Sequence, residues 1–423
     1  MCANMNFKKA YEYLTAGEKF RSKKIQFEKP AERFENFKAF LKILKNPENK
    51  IPKYIHVTGT SGKGSTCIML ASILKSCGKK VGLITSPHLT DITERWQING
   101  KQMPQRDFIR IVEQIKKAMD DFKKTTKHRL TFFDLTTAIG LLYFVEKKID
   151  WAVIEVGCGG RYDSTNAIPR KVAAVITNVD LDHTNILGKT RKKIAYEKAG
   201  IIKKGCAAFT GESDAQILII LENECAINGV KLVKNNAKHL SYSVPAIGEH
   251  QIANAMLAVK VCEFLKIPKI AIRQGLASAK LPVRMEIISS NPCIILDGAH
   301  NFSEIKTTVK TVKTLDYSNL YLIVGFSEGK NAQKMIAELT KLKPKYVLTT
   351  RQTINFYRKT ILPGKLARQF HKFGIKTKNI TNPEKALIWV KKRLNEDDLL
   401  LVTGSMFLAG QLRRKLLRKT DNN

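Results

Sequence analysis

The sequence has 423 residues, which at roughly 150 residues per domain predicts two or three domains, with two as the first expectation. Its composition of 43% hydrophobic, 8% aromatic and 26% charged residues excludes a wholly disordered, collagenous or disulfide-scaffold chain. Lysine and arginine number 73 against 37 aspartate and glutamate, so the formal net charge is +36. Such a surplus suits nucleic acid, acidic membrane, nucleotides or polycarboxylates as partners, and it fits a lysine-rich solvated surface with no partner equally well.

Strand-like apolar runs alternate with helical patterns along most of the chain. The predicted strands are Tyr54–Thr58, Val81–Ile84, Trp151–Val156, Val172–Thr177, Cys293–Leu296, Leu320–Val324, Tyr346–Thr350 and Leu399–Thr403. The predicted helices include Thr136–Glu146, Lys192–Ile202, Gln251–Leu265 and a basic closing helix, Gln411–Lys419. Several strands are continuous apolar runs, as expected where helices cover both faces of a parallel sheet. The pattern predicts an α/β protein.

The cysteines and the start of the chain bear on the cellular compartment. The eight cysteines include no CxxC pair, which disfavours a zinc ribbon or a thioredoxin-like site, and they are too sparse for a disulfide framework. The start, MCANMNFKKAYEY, lacks the apolar core of a signal peptide, and no apolar run reaches about eighteen residues. We therefore expect reduced thiols and a cytoplasmic location.

The most informative segment is YIHVTGTSGKGST, Tyr54–Thr66. An apolar strand leads into a glycine-rich turn, then Lys63, two hydroxyl residues and the helical stretch Cys67–Ser76. Glycines let backbone N–H groups converge on phosphate oxygens, a helix N-terminus adds positive potential, and a lysine reaches the β- and γ-phosphates. The spacing differs from an ordinary Walker A motif because Gly64 separates the lysine from Ser65. The segment predicts a nucleotide phosphate site rather than a plain glycine turn.

The loop GTSGKGS resembles the GTNGKGS loop of the folylpolyglutamate synthase and dihydrofolate synthase family, members of the Mur ligase superfamily, with Ser61 where the family usually has asparagine. Similar blocks follow in family order over nearly the whole chain: SPHLTDITERWQING (Ser86–Gly100), TFFDLTTA (Thr131–Ala138), EVGCGGRYDSTN (Glu155–Asn166), LDHTNILGKT (Leu181–Thr190), EKAGIIKKG (Glu197–Gly205), GEHQIANA (Gly248–Ala255), LPVRME (Leu281–Glu286), LDGAHN (Leu296–Asn301) and VTGSMFLAG (Val402–Gly410). At Val283, the family's usual Pro-Gly-Arg sequence is replaced by Pro-Val-Arg.

The sequence pattern predicts a domain boundary near Ala279–Arg284, where a helical pattern ends at a proline before a new strand–helix series starts at Cys293. Residues 1–281 are expected to form a P-loop-type parallel-sheet ATP-binding domain of the Mur ligase central type. Residues 282–423 are expected to form a smaller Rossmann-like α/β ligase domain.

Four residues are implied as metal ligands, and three of them join Lys63 as the predicted catalytic group. Glu155 ends an apolar strand beside the phosphate loop, where a carboxylate oxygen suits Mg²⁺. By resemblance, His183 would bind a second Mg²⁺, Ser86 would add a hydroxyl ligand, and Lys198 would be carbamylated by CO₂ to become an anionic ligand. Taken alone, the glutamate fits a salt bridge, the histidine a surface role and the lysine a surface charge. The resemblance is also compatible with a monovalent cation.

The resemblance implies ATP contacts in both domains. In the first domain these are the loop residues Gly59, Thr60, Gly62, Lys63, Gly64 and Ser65. Asn254 would contact the adenine, and Arg284 would cross to the phosphates. Asp297 and His300 follow a predicted strand and would meet the nucleotide from the second domain.

The acid substrate is predicted from positions that hold a dihydropteroate in bifunctional bacterial relatives. These positions are Thr131, Phe132, Phe133, Asp134, Tyr162, Asp163 and Ser164. The two phenylalanines could stack on a flat pterin, although core packing explains them equally well. Asp134 is one methylene shorter than the glutamate common in the family.

These observations together predict an ATP-dependent ligase that adds L-glutamate to a folate through an acyl phosphate, with addition of the first glutamate to dihydropteroate as a second activity. The expected ligands are ATP, Mg²⁺ at two sites, glutamate and the folate or dihydropteroate; we expect a monomer without nucleic-acid or membrane partners. One alternative is a Mur-type ligase acting on a UDP-linked peptidoglycan precursor, which the FFD block and the SPHL…ING loop disfavour. Another is a basic nucleic-acid-binding ATPase, disfavoured because the basic residues are spread along the chain without a recognisable binding module.

Overall fold

The chain folds into two α/β units, each built around its own sheet. The computed structural model describes residues 5–19, 29–126, 128–235, 239–355 and 358–417. The first unit comprises Met1–Ser86, Ile92–Val244 and Ala253–Ala279, and the second comprises Pro87–Asp91, Pro245–Ile252 and Lys280–Asn423.

The sheet of the first unit has eight strands in the order β4-β3-β2-β5-β1-β6-β7-β8. The strands are β1 (Lys53–Thr58), β2 (Val81–Ile84), β3 (Trp96–Ile98), β4 (Lys101–Gln102), β5 (Trp151–Glu155), β6 (Ala173–Ile176), β7 (Ala207–Thr210) and β8 (Leu232–Lys234). Pairing is parallel from β2 through β5, β1, β6 and β7 to β8, whereas β3 and β4 add an antiparallel edge. The carboxyl ends of the central strands therefore meet at one edge of the sheet, the usual place for a ligand in this architecture.

Helices cover both faces of this sheet, which explains why β1 and β5 are almost continuously buried. The helices are α1 (Phe7–Lys19), α2 (Pro30–Ile43), α3 (Lys63–Ser76), α4 (Gln105–Thr125), α5 (Phe132–Glu146), α6 (Thr184–Leu187), α7 (Arg191–Ala199), α8 (Ala215–Ile227), α9 (Glu249–Phe264) and α10 (Lys269–Ala277). Phe40, Phe108 and Trp96 centre an aromatic core under α1, α2, α4 and α5. A second core around Ile176 and Ile194 packs α7 and α8 onto β6 and β7.

The sheet of the second unit has six strands in the order β13-β12-β11-β14-β10-β9, parallel except for β9. The strands are β9 (Glu286–Ser290), β10 (Cys293–Leu296), β11 (Leu320–Val324), β12 (Tyr346–Thr349), β13 (Thr377–Asn379) and β14 (Leu399–Thr403). The helices are α11 (Phe302–Val312), α12 (Ala332–Thr340), α13 (Pro363–His371), α14 (Pro383–Lys391) and α15 (Met406–Leu417). Alternate residues of the same strands belong to two separate cores, with Leu401 on the α11–α13 side and Leu400 on the α14–α15 side.

The predicted fold class is confirmed, and all eight predicted strands are present with ends shifted by at most one residue. The predicted helix at Thr136 begins earlier, at Phe132, because Thr131 and Asp134 form a capping box that starts the helix. The predicted closing helix appears as α15, and its residues 418 and 419 lie outside the described residues.

Two further findings concern membrane-spanning helices and cysteines. Among the described residues, no helix combines the length and apolar character needed to span a membrane. The seven cysteines that the structure describes are all free thiols.

Candidate active site

The phosphate-loop motif lies where β1, β5 and β6 end side by side. Strand register places Val57 beside Glu155 and Thr58 beside Ile176, so the loop that follows β1 starts next to the predicted metal carboxylate. Gly59 has no room for a side chain, because a Cβ there would lie 1.7 Å from Oγ1 of Thr177. The glycine thus lets the backbone of the loop approach β6 closely.

The segment after β6 holds the loop in place. The amide of Ser61 donates to Oδ1 of Asn178 at 2.9 Å, and the Thr177 hydroxyl donates to the Ser61 carbonyl at 2.6 Å. The Thr60 hydroxyl donates to the Asp180 carbonyl at 3.0 Å and accepts from the Asp180 amide at 2.8 Å. Because residue 61 is held through its backbone, serine can replace the usual asparagine without changing these contacts.

The two predicted catalytic lysines meet at one carbonyl. Nζ of Lys63 donates to the carbonyl of Gly59 at 2.9 Å and to that of Thr60 at 3.0 Å, and Nζ of Lys198 donates to the Gly59 carbonyl at 2.7 Å. Lys198 is only 3% exposed. Burial, followed by the positive charge of Lys63, lowers the pKa of Lys198 to about 7. A large fraction of the Lys198 amine is therefore uncharged at neutral pH.

The predicted metal ligands line two pockets of the first unit. His183 and Lys198 line one pocket with Lys63 and the Gly157–Gly159 turn. Ser86 and Glu155 line the other, where the Ser86 amide donates to Oε2 of Glu155 at 2.8 Å. Among the described residues, no three His, Cys, Asp or Glu side chains form a ready metal cluster. Any metal at this edge would therefore need oxygen ligands from elsewhere as well.

Hydroxyl and amide groups lie at the N-terminus of helix α3. The hydroxyls of Ser65 and Thr66 are buried without a hydrogen-bond partner, an arrangement that is costly unless a ligand satisfies it. The helix N-terminus adds positive potential at the same place. Gly62 adopts φ 80° and lies against Asn254, since a Cβ there would be 2.2 Å from Oδ1 of Asn254. The structure thus brings the predicted adenine-contacting asparagine to the phosphate loop.

Phe133 and Glu155 line the same pocket, which joins the predicted acid-substrate block to the metal carboxylate. The Phe133 ring packs onto Gly157, where a Cβ would lie 2.2 Å from Cζ of the ring. Phe132 lies under the guanidinium of Arg95, whose Cζ is 5.2 Å from the ring centroid. An aromatic and cationic wall suits a flat, anionic substrate.

The remaining residues predicted for the acid substrate are mostly buried. Asp134 is 1% exposed; its carboxylate accepts from the Thr131 amide at 2.7 Å and from the Ser164 hydroxyl. Asp163 is 4% exposed and accepts from the Cys158 amide at 2.9 Å. Tyr162 is half-buried, and its carbonyl accepts from Arg33 at 3.2 Å. Direct contacts of this group with a pterin stay a prediction.

In the second unit, three predicted residues form a polar cluster at the end of β10. Asp297 accepts from the Thr308 hydroxyl at 2.5 Å and from the Met285 amide at 3.2 Å, and burial raises the pKa of its carboxyl. The Glu304 carboxylate lies 3.1 Å from Nδ1 of His300 and raises the pKa of that imidazole. Arg284 carries a charge close enough to help burial lower the pKa of His250 to about 4.

Four residues of these sites were missed by the sequence reasoning. Asp182 lines the pocket with Lys63 and Lys198, Arg95 lines the pocket with Glu155, and Glu304 and His250 belong to the second-unit cluster. Asp182, Arg95 and His250 stand inside the quoted motifs LDHTNILGKT, SPHLTDITERWQING and GEHQIANA, so the signal was present without a reason to single them out.

Comparison with known proteins bears on the family. Residues 57–225 match the Mur ligase middle domain, and residues 283–406 match the Mur ligase glutamate ligase domain. The dihydrofolate synthase/folylpolyglutamate synthase of Bacillus subtilis is 30% identical over 90% of this chain and 94% of its own length. The folylpolyglutamate synthase of Lacticaseibacillus casei is 31% identical over 89% of this chain and 92% of its own length.

This chain belongs to the folylpolyglutamate synthase/dihydrofolate synthase family. The structure of Escherichia coli FolC in complex with DHPP and ADP resembles it with a TM-score of 0.83 and 27% identity, covering 97% of this chain and 98% of FolC. The structure of Mycobacterium tuberculosis folylpolyglutamate synthase complexed with ADP and AMPPCP has a TM-score of 0.82 and 25% identity to this chain. It covers 90% of this chain and 95% of its own length.

One departure from the usual folylpolyglutamate synthase sequence has a structural consequence. Val283 adopts φ 52°, a conformation that favours glycine, at the position where the family usually has glycine. Its side chain is nevertheless fully buried, in a core with Leu296 and Met406. The left-handed turn therefore persists in spite of the β-branched residue.

Proposed function

We propose that this chain is an ATP-dependent ligase that adds L-glutamate to a folate, and that it also converts dihydropteroate to dihydrofolate. The observation that carries the proposal is the pocket at the end of β1, where the glycine loop and two lysines meet, together with the unpaired hydroxyls in the first turn of α3, which follows the loop. These groups suit the phosphates of a nucleotide. Membership of the family supplies the reaction.

The phosphate loop would bind the triphosphate of ATP. Backbone amides of Gly62–Ser65 would point at phosphate oxygens, and Lys63 would leave its two loop carbonyls to pair with the transferring phosphoryl group. Asn254 would contact the adenine. Arg284, Asp297 and His300 are proposed to meet the nucleotide from the second domain.

Mg²⁺ fits the donor chemistry of the site. The unpaired Ser65 hydroxyl and the carboxylates of Glu155 and Asp182 are hard oxygen donors of the kind that Mg²⁺ prefers. We propose that Ser86 and Glu155 hold one ion, and that His183 and a carbamylated Lys198 hold a second. When bound, Mg²⁺ would neutralise charge on the phosphates.

Carbamylation of Lys198 is supported by its environment. Carbamate formation requires an uncharged amine, and the pKa of about 7 supplies one at neutral pH. We expect ¹³CO₂ to give one carbamate signal in the ¹³C spectrum of the enzyme, and we expect Lys198→Met to remove it. The same signal in that variant would contradict the assignment.

The reaction would proceed through an acyl phosphate, with residues of this chain positioning the substrate and stabilising charge. The substrate carboxylate attacks the γ-phosphorus of ATP and ADP leaves; the glutamate amine then attacks the acyl carbon, loses a proton and expels phosphate. Lys63 would offset charge on the transferring oxygens, while Phe133 and Arg95 would hold the acid substrate beside Glu155.

A substrate assay tests the proposal directly. ATP-dependent incorporation of labelled glutamate is measured with tetrahydrofolate and with dihydropteroate side by side, and we expect both to be substrates. Incorporation into a UDP-muramyl acid, with neither folate active, would overturn the proposal.

We further propose that the domains divide after residue 281. We also propose that the enzyme is monomeric, and light scattering would check its molar mass.

Replacement of Lys63 or Glu155 tests their roles. Lys63→Ala and Glu155→Gln should each lower kcat by at least about a hundredfold, because both remove charge stabilisation from phosphoryl transfer. Lys53→Ala is the matched control, since Lys53 lies at the opposite end of β1 and its ammonium sits over the Trp151 ring. Retained turnover in either site variant would refute its role.

A further inference from the structure

A buried hydrogen-bond chain runs behind the phosphate pocket of the first unit. Nζ of Lys171 lies 3.2 Å from Nδ1 of His56, and Nε2 of His56 lies 2.8 Å from Oγ1 of Thr165. The Thr165 hydroxyl donates to Oδ1 of Asp163 at 2.5 Å. All four side chains are at most 4% exposed. Lys171 is a lysine in the protein interior whose hydrogen-bond partners are a histidine and an amide rather than a carboxylate.

The far end of this chain is the turn that lines the phosphate pocket. Oδ2 of Asp163 accepts from the Cys158 amide at 2.9 Å, and the backbone of Gly157 also donates to this carboxylate. Gly157, Cys158 and Gly159 line the pocket together with Lys63 and Lys198. Asp163 therefore connects the buried hydrogen-bond chain to the pocket wall.

Lys171 also reaches the helix that carries Lys198. Nζ of Lys171 donates to Oδ1 of Asn166 at 2.8 Å. The Asn166 amide donates to the carbonyls of Arg161 and Gly200, both at 3.0 Å, and Gly200 caps α7. One lysine side chain thus supports both the glycine turn and the end of α7.

The charge of Lys171 determines the direction of the chain. An ammonium has no lone pair, so it must donate to Nδ1 of His56, and a neutral His56 must then carry its proton on Nε2. Nε2–H donates to the Thr165 hydroxyl, whose own hydrogen remains for Asp163. A neutral lysine could accept from Nδ1–H instead, and the chain would then reverse and leave Asp163 without the hydroxyl donor.

We propose that Lys171 is a positioning residue that sets the direction of this chain and thereby holds the Gly157–Gly160 turn at the phosphate pocket. The inference rests on the ligase function proposed above. It assigns Lys171 no contact with substrate.

The electrostatic surroundings agree with this role. Burial, followed by the charge of Lys203, lowers the pKa of Lys171 to about 7, and burial keeps the pKa of His56 well below its ordinary value. The described titratable groups that face Lys171 are His56 on β1, and Lys203 and Cys206 from the turn between α7 and β7. Below pH 7 the lysine is an ammonium beside a neutral imidazole, as the directed chain requires.

The ring nitrogens of His56 give a direct test. ¹⁵N shifts distinguish protonated from unprotonated ring nitrogens, and the His56 signals are identified by their loss in His56→Asn. At pH 6 we expect His56 of the wild-type enzyme to hold the Nε2–H tautomer, and we expect Lys171→Met to lose this preference. An unchanged tautomer in Lys171→Met would overturn the proposal.

Kinetics test the consequence for the active site. Lys171→Met and Thr165→Val should each lower kcat by about tenfold or more with little change in the KM for the folate, as is typical of groups that support a site from behind. The double variant should be no worse than the worse single variant, because both interrupt one chain. Full additivity would contradict a shared chain.

A matched control separates this effect from general loss of a buried hydrogen bond. Tyr54 lies on the same strand, and its hydroxyl donates to the Glu48 carbonyl at 2.8 Å. Tyr54→Phe should lower the melting temperature while kcat stays within about twofold of the wild type. An equal loss of kcat in Tyr54→Phe would count against positioning. If the wild type transfers glutamate to neither folate, the proposed function fails, whereas the tautomer still decides whether Lys171 directs the chain.

Discussion

Lys198 is a residue at which stability and the proposed function oppose each other. Burial lowers its pKa from 10.5 to about 7, which sets an upper bound of about 5 kcal/mol on the cost of keeping the amine charged. Loss of its hydrogen bond to the Gly59 carbonyl offsets part of any gain from removing the charge. We expect Lys198→Met to raise the free energy of unfolding at pH 6 by about 1–3 kcal/mol and to abolish glutamate incorporation.

The pH dependence of this gain has a definite sign. Between pH 7 and pH 10.5 the unfolded lysine binds a proton that the folded one does not, so wild-type stability rises with pH there. Below pH 7 both states are protonated and the whole cost remains. Urea unfolding at pH 6 and pH 9.5 in CO₂-depleted buffer should therefore show a larger advantage of Lys198→Met at pH 6. If the stability advantage of Lys198→Met over the wild type increased with pH, Lys198 would not be a buried lysine of lowered pKa.

Helix α3 begins in the phosphate loop, and its position depends on close packing with α10. At Gly275 a Cβ would lie 2.3 Å from Cα of Ile73, which is backbone and cannot rotate away. Gly275→Ala should therefore push the helices apart, lower the melting temperature by several degrees and weaken binding of an ATP analogue. Calorimetry and titration of the analogue measure the two effects.

Gly364 is the matched control because it also lies within a helix. A Cβ there meets nothing closer than the Asn379 side chain at 3.7 Å. Gly364→Ala should be neutral or stabilise by about 0.5–1 kcal/mol, since alanine favours helix more than glycine does. Equal destabilisation by the two substitutions would show that helix packing around α3 is not the cause.

The elements that sequence could predict are those whose signal is local. The eight apolar strands and the loop before α3 each carry their own pattern, and the structure has them where the pattern places them. Six of the fourteen described strands were missed: β3, β4, β7, β8, β9 and β13. Strand β3 (Trp96–Ile98) has only three residues, and strand β7 (Ala207–Thr210) is half alanine, so neither carries a clear strand pattern.

The site contacts that sequence could not predict join distant segments. Asn178 reaches Ser61 across more than a hundred residues, and Arg95 lies over the Phe132 ring although the two residues are distant in the sequence. A lysine in a sequence likewise shows nothing of its burial, so the lowered pKa of Lys198 can be inferred only from the folded chain. The resemblance identified the candidate site residues, whereas their contacts and burial, which determine their chemical properties, are seen only in the folded chain.

At the scale of the molecule, the net charge of +36 creates a field that an anionic substrate meets before it meets the site. Each glutamate added to a folate increases the negative charge of the substrate by one. The Debye length falls from about 10 Å at 0.1 M salt to about 3 Å at 1 M, so the attraction from lysines outside the site is screened first. We therefore expect a folate triglutamate to lose more affinity with added salt than a monoglutamate.

Steady-state kinetics at 50 mM and 500 mM KCl can measure this difference. The KM ratio of triglutamate to monoglutamate should rise severalfold with salt, whereas the kcat values should change little, because the field outside the site affects capture rather than chemistry. If salt changed the KM of the two substrates by the same factor, only charges within the site would affect substrate binding. The surplus lysines would then be a solvated surface without a part in catalysis. RNA added at low salt serves as the control. We expect RNA to compete with the folate substrate without stimulating ATP hydrolysis, because a basic surface that lacks a nucleic-acid site binds RNA only non-specifically.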